Sequence, residues 1–458
     1  MPELPEVETV RRVLKSELLN LEIVSYTLHY EKIFENLNEV SKILNNKIID
    51  IDRKGKFLIF VFEKGYLVSH LRMEGKYFYL KDFTLNKHMH VIFDLSNGYH
   101  LIYQDVRKFG RMHYFDSYDE VLSYMNLGLD ANDLNIDVDS LYKKITKIKK
   151  PIKAILLNQN IIAGLGNIYV DEVLYKSKLM PNVLGSELNF DDVKNIVNNS
   201  KIILDNAIIN KGTTIRSYTS SLGVTGNYQN FLACHTKEKC LENHLIFKMK
   251  IDGRTTYYCP ICQKFKKKIV IGLTGSISSG KSNISNNLKQ LGFVVSDADL
   301  IVKEAYNDIN VLNQIKENFP DTFNNNICDK KKLGEIIFND EKKREILNKI
   351  IHPFVLEKMQ EDIKNNDLIF LDVPLLYEAN FDKLCDRVIC TKLDLDKQIE
   401  RLINRDDITK EEALLKINSQ MKLEDKCEKA DYLIDTSKDF KDTYKNLLEC
   451  LSLLFSEL

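Results

Sequence analysis

Two stretches of the 458-residue chain combine residue types that do chemistry, and the first lies at its start. Removal of the initiator Met1 leaves Pro2 as the N-terminal residue, with a free secondary amine. Such an amine can attack an acetal carbon and pass through an iminium ion, so it can act as a covalent catalyst. Glu3 and Glu6 place carboxylates for proton transfer beside it. Because a proline at a first helical position also starts helices, Pro2 alone leaves both interpretations open.

The second stretch is a phosphate-binding loop between an apolar run and a helical pattern. In such a loop the backbone amides cradle phosphates, the lysine neutralises the β and γ oxygens, and the last hydroxyl ligates Mg²⁺. The loop predicts binding of ATP with Mg²⁺ and leaves the acceptor open. Its residues fit the pattern G-x4-G-K-[ST] and are Gly275, Ser276, Ile277, Ser278, Ser279, Gly280, Lys281 and Ser282.

Charge is nearly balanced over the whole chain but uneven along it. Residues 1–268 hold 38 Lys and Arg against 31 Asp and Glu, whereas the remainder holds 27 against 35. A basic first part is consistent with a polyanionic partner, and an acidic second part with a solvated globular enzyme. Without an accompanying motif, this uneven charge would be interpreted as ordinary surface charge.

Composition argues against a membrane protein and against a disulfide framework. No hydrophobic run approaches the roughly 20 residues of a membrane span, and the N-terminus lacks the apolar core of a secretory signal. The nine cysteines are odd in number and scattered along the chain. We therefore expect a protein of the reducing cytoplasm without a membrane partner.

Hydrophobic periodicity indicates the elements that must position these residues. Residues 2–19 predict an amphipathic helix, and the short alternating runs from about 23 to 115 predict strands. Residues 117–210 are helical in pattern, with a break at 164–167. Short strands return over 231–262.

The second part has a different pattern. QKFKKK at 263–268 marks a short boundary. Strand, phosphate loop and helix then follow one another, and LIFLDVPLL and RVICT are further buried strands. This alternation predicts an α/β domain with a parallel sheet.

The first part resembles the formamidopyrimidine-DNA glycosylase family over about residues 2–266. The motifs occur together and in family order: PELPEVE, RKGKFL, SHLRMEG, DVRKFGR, AGLGNIYVDE and GRTTYYCPICQK. The resemblance implies Pro2 as the Schiff-base nucleophile at C1′ of the damaged nucleotide. It also implies Glu3 as the proton donor and Lys56 as a phosphate contact near the lesion. The implied domains are a β-sandwich over 1–116, a helix–two-turn–helix DNA-binding domain over 117–230 and a zinc-finger hairpin over 231–266.

Three side chains match those that fill the space left by a flipped-out lesion. Met73 supplies a flexible thioether, Arg107 a guanidinium for the orphaned base, and Phe109 an aromatic wedge. The family usually has Asp-Pro-Arg-Arg-Phe-Gly where this chain has Asp-Val-Arg-Lys-Phe-Gly. Arg107 and Phe109 themselves match the family pattern, so we expect their roles to be retained.

Four further DNA contacts are implied by the same resemblance. His70 precedes the motif arginine, and Asn167 stands at a helix start whose amides and dipole favour phosphate. Lys211 opens a stretch rich in Gly, Ser and Thr, ending at Gly226, which resembles the loop that covers the flipped base. Arg254 is expected between the hairpin strands and is implied as the phosphate clamp opposite the lesion, within the catalytic set.

The hairpin also carries a candidate metal site. Cys259 and Cys262 have the spacing of half a zinc knuckle. The family supplies a second Cys pair upstream, but here Cys240 is followed at ligand spacing by His244. We predict one structural Zn²⁺ bound by Cys240, His244, Cys259 and Cys262. Use of the nearby Cys234 and His235, or a metal-free hairpin stabilised by packing, remain alternatives.

The second part resembles dephospho-coenzyme A kinase over about residues 269–455. The motifs beyond the phosphate loop are SDADLIVKEA, IIHPFV, FLDVPLLYE, QIERLINRD and ADYLID. The resemblance implies Asp299 as the base at the ribose 3′-hydroxyl of dephospho-coenzyme A. Arg401 and Arg405, four apart on one helical face, match the arginines that neutralise the transferring phosphoryl group. We expect a P-loop kinase domain over 269–458.

Together the two resemblances predict a bifunctional enzyme. One half would excise oxidised purines, such as 8-oxoguanine and formamidopyrimidines, from damaged double-stranded DNA and nick the abasic site by β,δ-elimination. The other would phosphorylate dephospho-coenzyme A with ATP. Two alternatives stay open: a non-catalytic DNA-binding module fused to a nucleotide kinase, and an ATP-driven DNA repair machine.

Overall fold

The computed structural model describes residues 2–213, 226–324 and 327–458. The chain divides into two compact units, Met1–Gln263 and Lys264–Leu458. Most of the predicted loop between Lys211 and Gly226 falls on residues 214–225, which lie outside the described residues. Within the described ranges, no helix has the length and apolarity that crossing a membrane demands.

The first unit opens with helix α1, Leu4–Leu18, followed by two four-stranded antiparallel sheets. The helix is confirmed as predicted, except that Pro2 and Glu3 precede it. The sheet orders are β1-β6-β7-β5 and β2-β3-β4-β8. The strands are Ile23–Leu28 (β1), Ile48–Lys54 (β2), Phe57–Phe62 (β3), Tyr66–His70 (β4), Lys76–Leu80 (β5), Met89–Leu95 (β6), His100–Gln104 (β7) and Arg111–Phe115 (β8).

One hydrophobic core joins α1 to both sheets. The helix contributes Val7, Val10, Leu14 and Leu18, whose spacing of three or four residues puts them on one buried face. Both sheets contribute alternate residues of their strands to the same core. The core therefore fixes the start of α1, and with it Pro2 and Glu3, against the unit.

Helices follow the sheets, as the periodicity predicts, but they are shorter and more numerous than one run. Side-chain caps start several of them: Ser117, Asp137 and Asn189 each accept hydrogen bonds from first-turn amides. The helices are Tyr118–Met125 (α2), Val138–Ile145 (α3), Ile152–Leu156 (α4), Asn167–Lys176 (α5) and Phe190–Ile209 (α6).

The first unit ends in an antiparallel hairpin of two strands, Phe247–Ile251 (β9) and Arg254–Tyr258 (β10). Asp252 and Gly253 form the turn, both with positive φ, as a tight hairpin turn requires. Arg254 is therefore the first residue of β10 rather than a residue between the strands.

The second unit contains a five-stranded parallel sheet of order β12-β15-β11-β16-β17, which confirms the predicted α/β architecture. A separate two-stranded antiparallel sheet pairs β13 with β14. The strands are Ile269–Thr274 (β11), Val295–Asp297 (β12), Phe323–Asn324 (β13), Ile327–Cys328 (β14), Leu368–Asp372 (β15), Arg387–Lys392 (β16) and Tyr432–Asp435 (β17).

The predicted phosphate loop leaves the central strand β11 at its carboxyl end, where ligands bind in open α/β sheets. Every residue of β11 is buried. The helices of this unit are Lys281–Gln290 (α7), Ala298–Ala305 (α8), Ile309–Asn318 (α9), Lys330–Asn339 (α10), Glu341–Asn365 (α11), Leu395–Asp406 (α12), Lys410–Asn418 (α13), Leu423–Lys429 (α14) and Phe440–Glu457 (α15).

Candidate active sites and metal centre

The buried carboxylate of Glu3 ends against the start of α5, in a distant part of the chain. Its oxygens accept hydrogen bonds from the backbone N–H of Gly166 at 2.7 Å and of Ile168 at 2.9 Å, and Tyr169 N lies at 3.4 Å. Burial raises the pKa of Glu3, while Lys56 and these amides oppose the rise. A carboxyl whose pKa is raised in this way suits proton donation near neutral pH. Pro2 is buried immediately before it.

Two glycines allow this close approach. A methyl group on Gly166 would overlap the carboxyl group of Glu3, and one on Gly164 would overlap Leu4. Gly164 also has a φ of +97°, which favours glycine. The Gly-Leu-Gly-Asn sequence is therefore required by contact with the N-terminus as well as by the turn.

Lys56 is buried within the same site and donates from Nζ to the carbonyl of Leu165 at 2.7 Å. Burial lowers its pKa to about 8, because the charged ammonium is poorly solvated there. Arg254 adds to the lowering, whereas Glu3 opposes it. Lys56 therefore keeps its charge at neutral pH and loses it a little above.

His70 ends strand β4 and is also buried. Burial lowers its pKa to about 3, with Arg72 and Lys56 adding to the effect. Its Nδ1 accepts a hydrogen bond from the backbone N–H of Arg72 at 2.9 Å, so the ring proton belongs on Nε2. In the free protein the His70 ring is therefore neutral and offers Nε2–H as a donor.

The three predicted space-filling side chains, Met73, Arg107 and Phe109, are exposed on loops of the first unit. The Arg107 guanidinium lies over the ring of Phe109, 4.9 Å from its centroid. Buried Asp105 shapes this loop by accepting from the backbone N–H of Arg107, Phe109 and Gly110 at 2.8–2.9 Å. The aspartate of the motif therefore holds the loop, and the two side chains remain available to a ligand.

Asn167, the first residue of α5, donates from Nδ2 to the carbonyl of Thr255 at 3.0 Å. Its Oδ1 is buried and has no hydrogen-bond partner among the residues that the structure describes. Thr255 follows Arg254, whose side chain is exposed at the start of β10. The contact places Asn167 and Arg254 on the same side of the first unit. Lys211 is exposed, with a φ of +61° just after α6.

The four predicted metal ligands converge. The ligand atoms of Cys240, His244, Cys259 and Cys262 all lie within 4.8 Å of one another. Sγ of Cys262 is 3.8 Å from Sγ of Cys240 and 3.3 Å from Nδ1 of His244. This arrangement could hold a metal ion. Among the residues that the structure describes, Cys234 is not a member of this cluster.

In the second unit, the phosphate loop joins β11 to α7 and lines a cavity of about 630 Å³. All eight predicted loop residues, Gly275 to Ser282, line this cavity, together with the predicted base Asp299 and both arginines, Arg401 and Arg405. His352 and Gln420 contribute to its wall. The structure therefore brings the predicted nucleotide and acceptor residues together.

Two of the cationic groups of this cavity form ion pairs with carboxylates, and a third binds a backbone carbonyl. Lys281 forms an ion pair with Asp372, at the end of β15, and Arg405 pairs with Asp406 at 2.7 Å. Arg401 donates to the carbonyl of Thr436 at 2.7 Å. Burial raises the pKa of Asp299, Lys281 opposes the rise, and the neighbouring carboxylates Asp297 and Asp372 add to it.

Comparisons with known proteins match both units. Family models match at residues 1–112 (formamidopyrimidine-DNA glycosylase N-terminal domain), 127–219 (formamidopyrimidine-DNA glycosylase H2TH domain) and 269–442 (dephospho-CoA kinase). The formamidopyrimidine-DNA glycosylase of Mycoplasma genitalium is 39% identical over 278 residues, which cover 59% of this chain and 98% of that protein. That of Ureaplasma parvum is 40% identical over 57% of this chain and the whole of that protein.

The chain belongs to the formamidopyrimidine-DNA glycosylase family. It carries a dephospho-CoA kinase domain in addition. Among solved structures, the complex between the Lactococcus lactis glycosylase and DNA containing an abasic site has a TM-score of 0.54 at 39% identity. A variant of the same enzyme with Fapy-dG containing DNA has a TM-score of 0.55 at 39% identity. Each similarity covers 57% of this chain and 99% of the solved chain.

Glu6, which the sequence places beside Pro2 and Glu3 as a carboxylate for proton transfer, is buried in the glycosylase unit and joins three of its segments. Glu6 accepts hydrogen bonds from the Glu3 backbone N–H at 2.8 Å, from the Tyr169 hydroxyl at 2.6 Å and from the Thr213 backbone N–H at 2.7 Å. A Cβ on Gly212 would lie 2.6 Å from Glu6 Oε1, so the glycine permits this contact. Glu6 thereby ties α1 to α5 and to the segment at 212–213. Its position in PELPEVE was the only feature of the sequence that pointed to Glu6, and it did not indicate these long-range contacts.

Helix α5 is also tied to the hairpin by buried charges that sequence reasoning missed. Asp171 accepts from Lys153 Nζ and pairs with His235 Nδ1, both at 2.7 Å. Glu172 accepts from the backbone N–H of Ala233, Cys234 and His235 at 2.7–2.9 Å. Of the alternative metal ligands, His235 is engaged here through its ring and Cys234 through its backbone N–H alone. The acidic pair in AGLGNIYVDE is the signal that could have indicated this link.

In the kinase unit, two glutamines that the motifs did not single out hold the phosphate loop. Gln398 donates from Nε2 to Ser276 Oγ at 2.8 Å and to the Ile277 carbonyl at 2.6 Å. Gln420 Oε1 accepts from the Ile277 backbone N–H at 3.1 Å. Gln398 opens the QIERLINRD motif, one turn before Arg401, so the helix that carries the arginines also contacts the loop.

Proposed function

We propose that the chain is a bifunctional enzyme, a DNA glycosylase with lyase activity joined to a dephospho-coenzyme A kinase. Two observations support the two halves: the amide-held carboxylate of Glu3 beside Pro2, and the cavity shared by the phosphate loop and Asp299. The proposed domains are the β-sandwich (1–116), the helix–two-turn–helix domain (117–230), the zinc-finger hairpin (231–266) and the P-loop kinase domain (269–458).

In the glycosylase half, the Pro2 amine attacks C1′ of the damaged nucleotide. A C1′–N bond to proline forms as the bond from C1′ to the base breaks, and the sugar ring opens to an iminium ion. Glu3 gives its proton to the ring oxygen, for which its raised pKa suits it. Successive β- and δ-eliminations then cleave the two flanking phosphate bonds. The proposed substrates are 8-oxoguanine and formamidopyrimidine lesions in double-stranded DNA.

The other residues of the first unit hold the DNA. Lys56, Arg254, Asn167, His70 and Lys211 are the proposed contacts to phosphates or to the flipped nucleotide. The unpartnered Oδ1 of Asn167 supports a role for this side chain at the DNA surface. The second set, which fills the space left by the extruded base, is Met73, Arg107 and Phe109.

In the kinase half, Asp299 accepts the proton of the ribose 3′-hydroxyl while the oxygen attacks the γ-phosphorus of ATP. Lys281, Arg401 and Arg405 offset the charge on the transferring group, and ADP leaves. Ser282 would hold the Mg²⁺ that comes with the nucleotide, and the ion would supply positive charge that offsets the phosphates. The remaining loop residues, Gly275, Ser276, Ile277, Ser278, Ser279 and Gly280, surround the phosphates.

The proposed metal is a single structural Zn²⁺. With Zn–S distances of about 2.3 Å, a tetrahedral site separates two sulfurs by about 3.8 Å. The 3.8 Å between Cys240 and Cys262 supports this fit, as does a donor set of three thiols and one imidazole. Zinc would supply a cross-link that holds the hairpin bearing Arg254. None of the nine cysteines, all of which lie in the described ranges, forms a disulfide, and this supports the cytoplasm as the site of action.

The test is to assay both reactions with one purified protein. Borohydride should trap the protein covalently on duplex DNA that carries 8-oxoguanine, since an iminium intermediate is reducible. The same preparation should convert dephospho-coenzyme A to coenzyme A with ATP. Binding to damaged DNA without trapping would favour a non-catalytic DNA-binding module. Excision that required ATP would favour an ATP-driven repair machine.

A further inference from the structure

The kinase unit contains a buried lysine that the proposed mechanism does not use. The side chain of Lys426, on helix α14, is fully buried and forms an ion pair with Glu378 at 2.9 Å. Its Nζ also donates a hydrogen bond to the carbonyl of Pro374 at 2.7 Å. Burying a lysine is unfavourable unless its charge is paired and its hydrogen bonds are made. The segments that Lys426 binds therefore indicate what it does.

The Pro374 carbonyl also contacts the strand that leads into the phosphate loop. It accepts a hydrogen bond from Thr274 Oγ1 at 3.2 Å, and the backbone N–H of Val373 donates to the Leu273 carbonyl at 3.0 Å. Leu273 and Thr274 are the last residues of β11. Lys426 thus binds the point at which the chain leaving β15 is joined to the start of the loop.

The sheet order gives this point its place in the cavity. Strand β15 lies between β12 and β11, and all three strands are parallel, so their carboxyl ends meet at one edge of the sheet. The proposed base Asp299 follows β12, and the phosphate loop follows β11. Residues 373–375 directly follow β15 and line the same cavity. They therefore stand between the loop and the base, where the phosphoryl group would pass.

Glu378 extends the link to a second segment that holds the loop. Its Oε1 accepts a hydrogen bond from the backbone N–H of Met421 at 3.0 Å. The preceding residue, Gln420, lines the cavity and accepts from the backbone N–H of Ile277 in the loop. The ion pair thus binds two segments that contact the loop, one after β15 and one before α14. Lys426 itself is not among the described residues that line the cavity.

We propose that Lys426, paired with Glu378, is a positioning residue of the kinase reaction. It holds the cavity wall at 373–375 at the separation from the phosphate loop that phosphoryl transfer requires, and it touches neither substrate. This inference rests on the proposed kinase function and adds to it a residue outside the cavity.

The test measures Lys426→Met in the full chain, with Mg·ATP affinity from calorimetric titration and coenzyme A formation from steady-state kinetics. Loss of the contact to Pro374 should lower kcat/KM for dephospho-coenzyme A by roughly ten- to hundredfold, the effect of misplacing a reacting group by about 1 Å. Mg·ATP affinity should be unchanged, because Gln398 and Gln420 still hold the loop. A purely structural role would not separate the two substrates in this way.

Leu454→Ala is the matched control for lost stability. Leu454 is buried on α15 and is not one of the described residues that line the cavity. Assayed well below its Tm, this variant should keep both the ATP affinity and the kcat/KM of the wild-type protein.

A second variant covers the case in which Lys426→Met does not fold. Combining Lys426→Met with Glu378→Gln leaves no charge without its partner, so the double variant should fold and show the same loss of kcat/KM. If the double variant also fails to fold, the pair is a requirement of the fold and the inference is overturned.

Three further results would overturn the inference: normal kcat/KM in Lys426→Met, an equal loss of ATP affinity, or the same kinetic loss in Leu454→Ala. If the wild-type protein makes coenzyme A and one of these results is seen, only the role of Lys426 is wrong. If the wild-type protein neither binds ATP nor makes coenzyme A, the kinase assignment falls and this inference with it.

Discussion

The two proposed active sites differ in the partners of their charged groups, although Arg401 of the kinase site, like Lys56 of the glycosylase site, donates to a backbone carbonyl. In the glycosylase unit, Glu3 is held by backbone amides and Lys56 by a backbone carbonyl. In the kinase unit, Lys281 is paired with Asp372 and Arg405 with Asp406, side chain against side chain. Backbone groups are fixed by the helix and turn that carry them, whereas charged side chains can exchange partners.

This difference bears on what substrate must do in each site. The glycosylase groups are already oriented before DNA arrives, as preorganised sites are. On the proposed mechanism, phosphates would compete with Asp372 for Lys281, and the transferring phosphoryl group would compete with Asp406 for Arg405. We therefore expect the kinase site to rearrange on binding more than the glycosylase site. The following predictions test this contrast, in order of decreasing effect.

The largest effect should come from the N-terminal amine. Pro2→Gly, or an added N-terminal extension, should abolish borohydride trapping on damaged DNA, because the secondary amine is lost or blocked. Production of coenzyme A in the same variants is the control and should be unchanged. Trapping that persists in either variant would show that another residue is the nucleophile.

The second prediction separates two residues of the kinase site. Asp299→Asn should slow formation of coenzyme A by roughly two to four orders of magnitude, the usual effect of losing a positioned general base, with ATP affinity nearly unchanged. Lys281→Ala should impair both ATP binding and turnover. Both variants should still excise lesions. Normal turnover by Asp299→Asn would contradict its assignment as the base.

The third concerns the metal centre. His244→Ala removes one of four converging donors, so zinc content measured by mass spectrometry should fall from one per chain and DNA affinity should fall with it. His244→Cys should retain the metal. Cys234→Ala is the matched control, because this thiol is outside the cluster. If His244→Ala keeps its zinc, the proposed ligand set is wrong.

The fourth tests whether the amide cradle of Glu3 depends on Gly166. Gly166→Ala should destabilise the glycosylase unit by roughly 1–3 kcal/mol, since the added methyl overlaps the carboxyl group of Glu3, and trapping should weaken. Gly334→Ala meets nothing within 4 Å and should stabilise its helix by roughly 0.5–1 kcal/mol. Thermal unfolding of the full chain measures both, and equal effects would refute the close contact.

The smallest effect is a change with pH. The pKa of Lys56 in the free protein is about 8, so its charge is present at pH 7 and mostly lost at pH 9. The log–log dependence of DNA affinity on salt should therefore flatten by about one unit between these pH values. Lys56→Arg keeps its charge and should show the same slope at both. A wild-type slope that does not change with pH would remove Lys56 from the phosphate contacts.

Local features of this chain could be predicted from sequence, whereas long-range pairing could not. The phosphate loop was predictable because β11, the loop and the start of α7 are continuous in the chain. Glu3 and Gly166 lie 163 positions apart, and Lys281 and Asp372 lie 91 apart. Such pairs depend on strand order and on helix placement, which hydrophobic periodicity does not encode.

The metal centre also shows that the sequence alone does not predict which distant residues come together. Spacing identified Cys259 and Cys262, but the broken upstream pair left His244 and Cys234 as competitors. In the structure His244 joins the cluster and Cys234 does not, and the backbone N–H of Cys234 binds Glu172 of α5. Which of the two side chains converges on Cys259 and Cys262 depends on how the chain folds around them, which cysteine spacing does not indicate.

The amide cradle of Glu3 also makes this carboxyl observable. Amides in the first turn of a helix ordinarily exchange with deuterium quickly, since they lack an intrahelical acceptor. Those of Gly166 and Ile168 end on a buried carboxylate and should exchange slowly. Protonation of Glu3 weakens that acceptor, so both amides should exchange faster than the intrinsic pH dependence of exchange allows. Isotope exchange at two backbone positions thus reads out the protonation of the proposed catalytic acid.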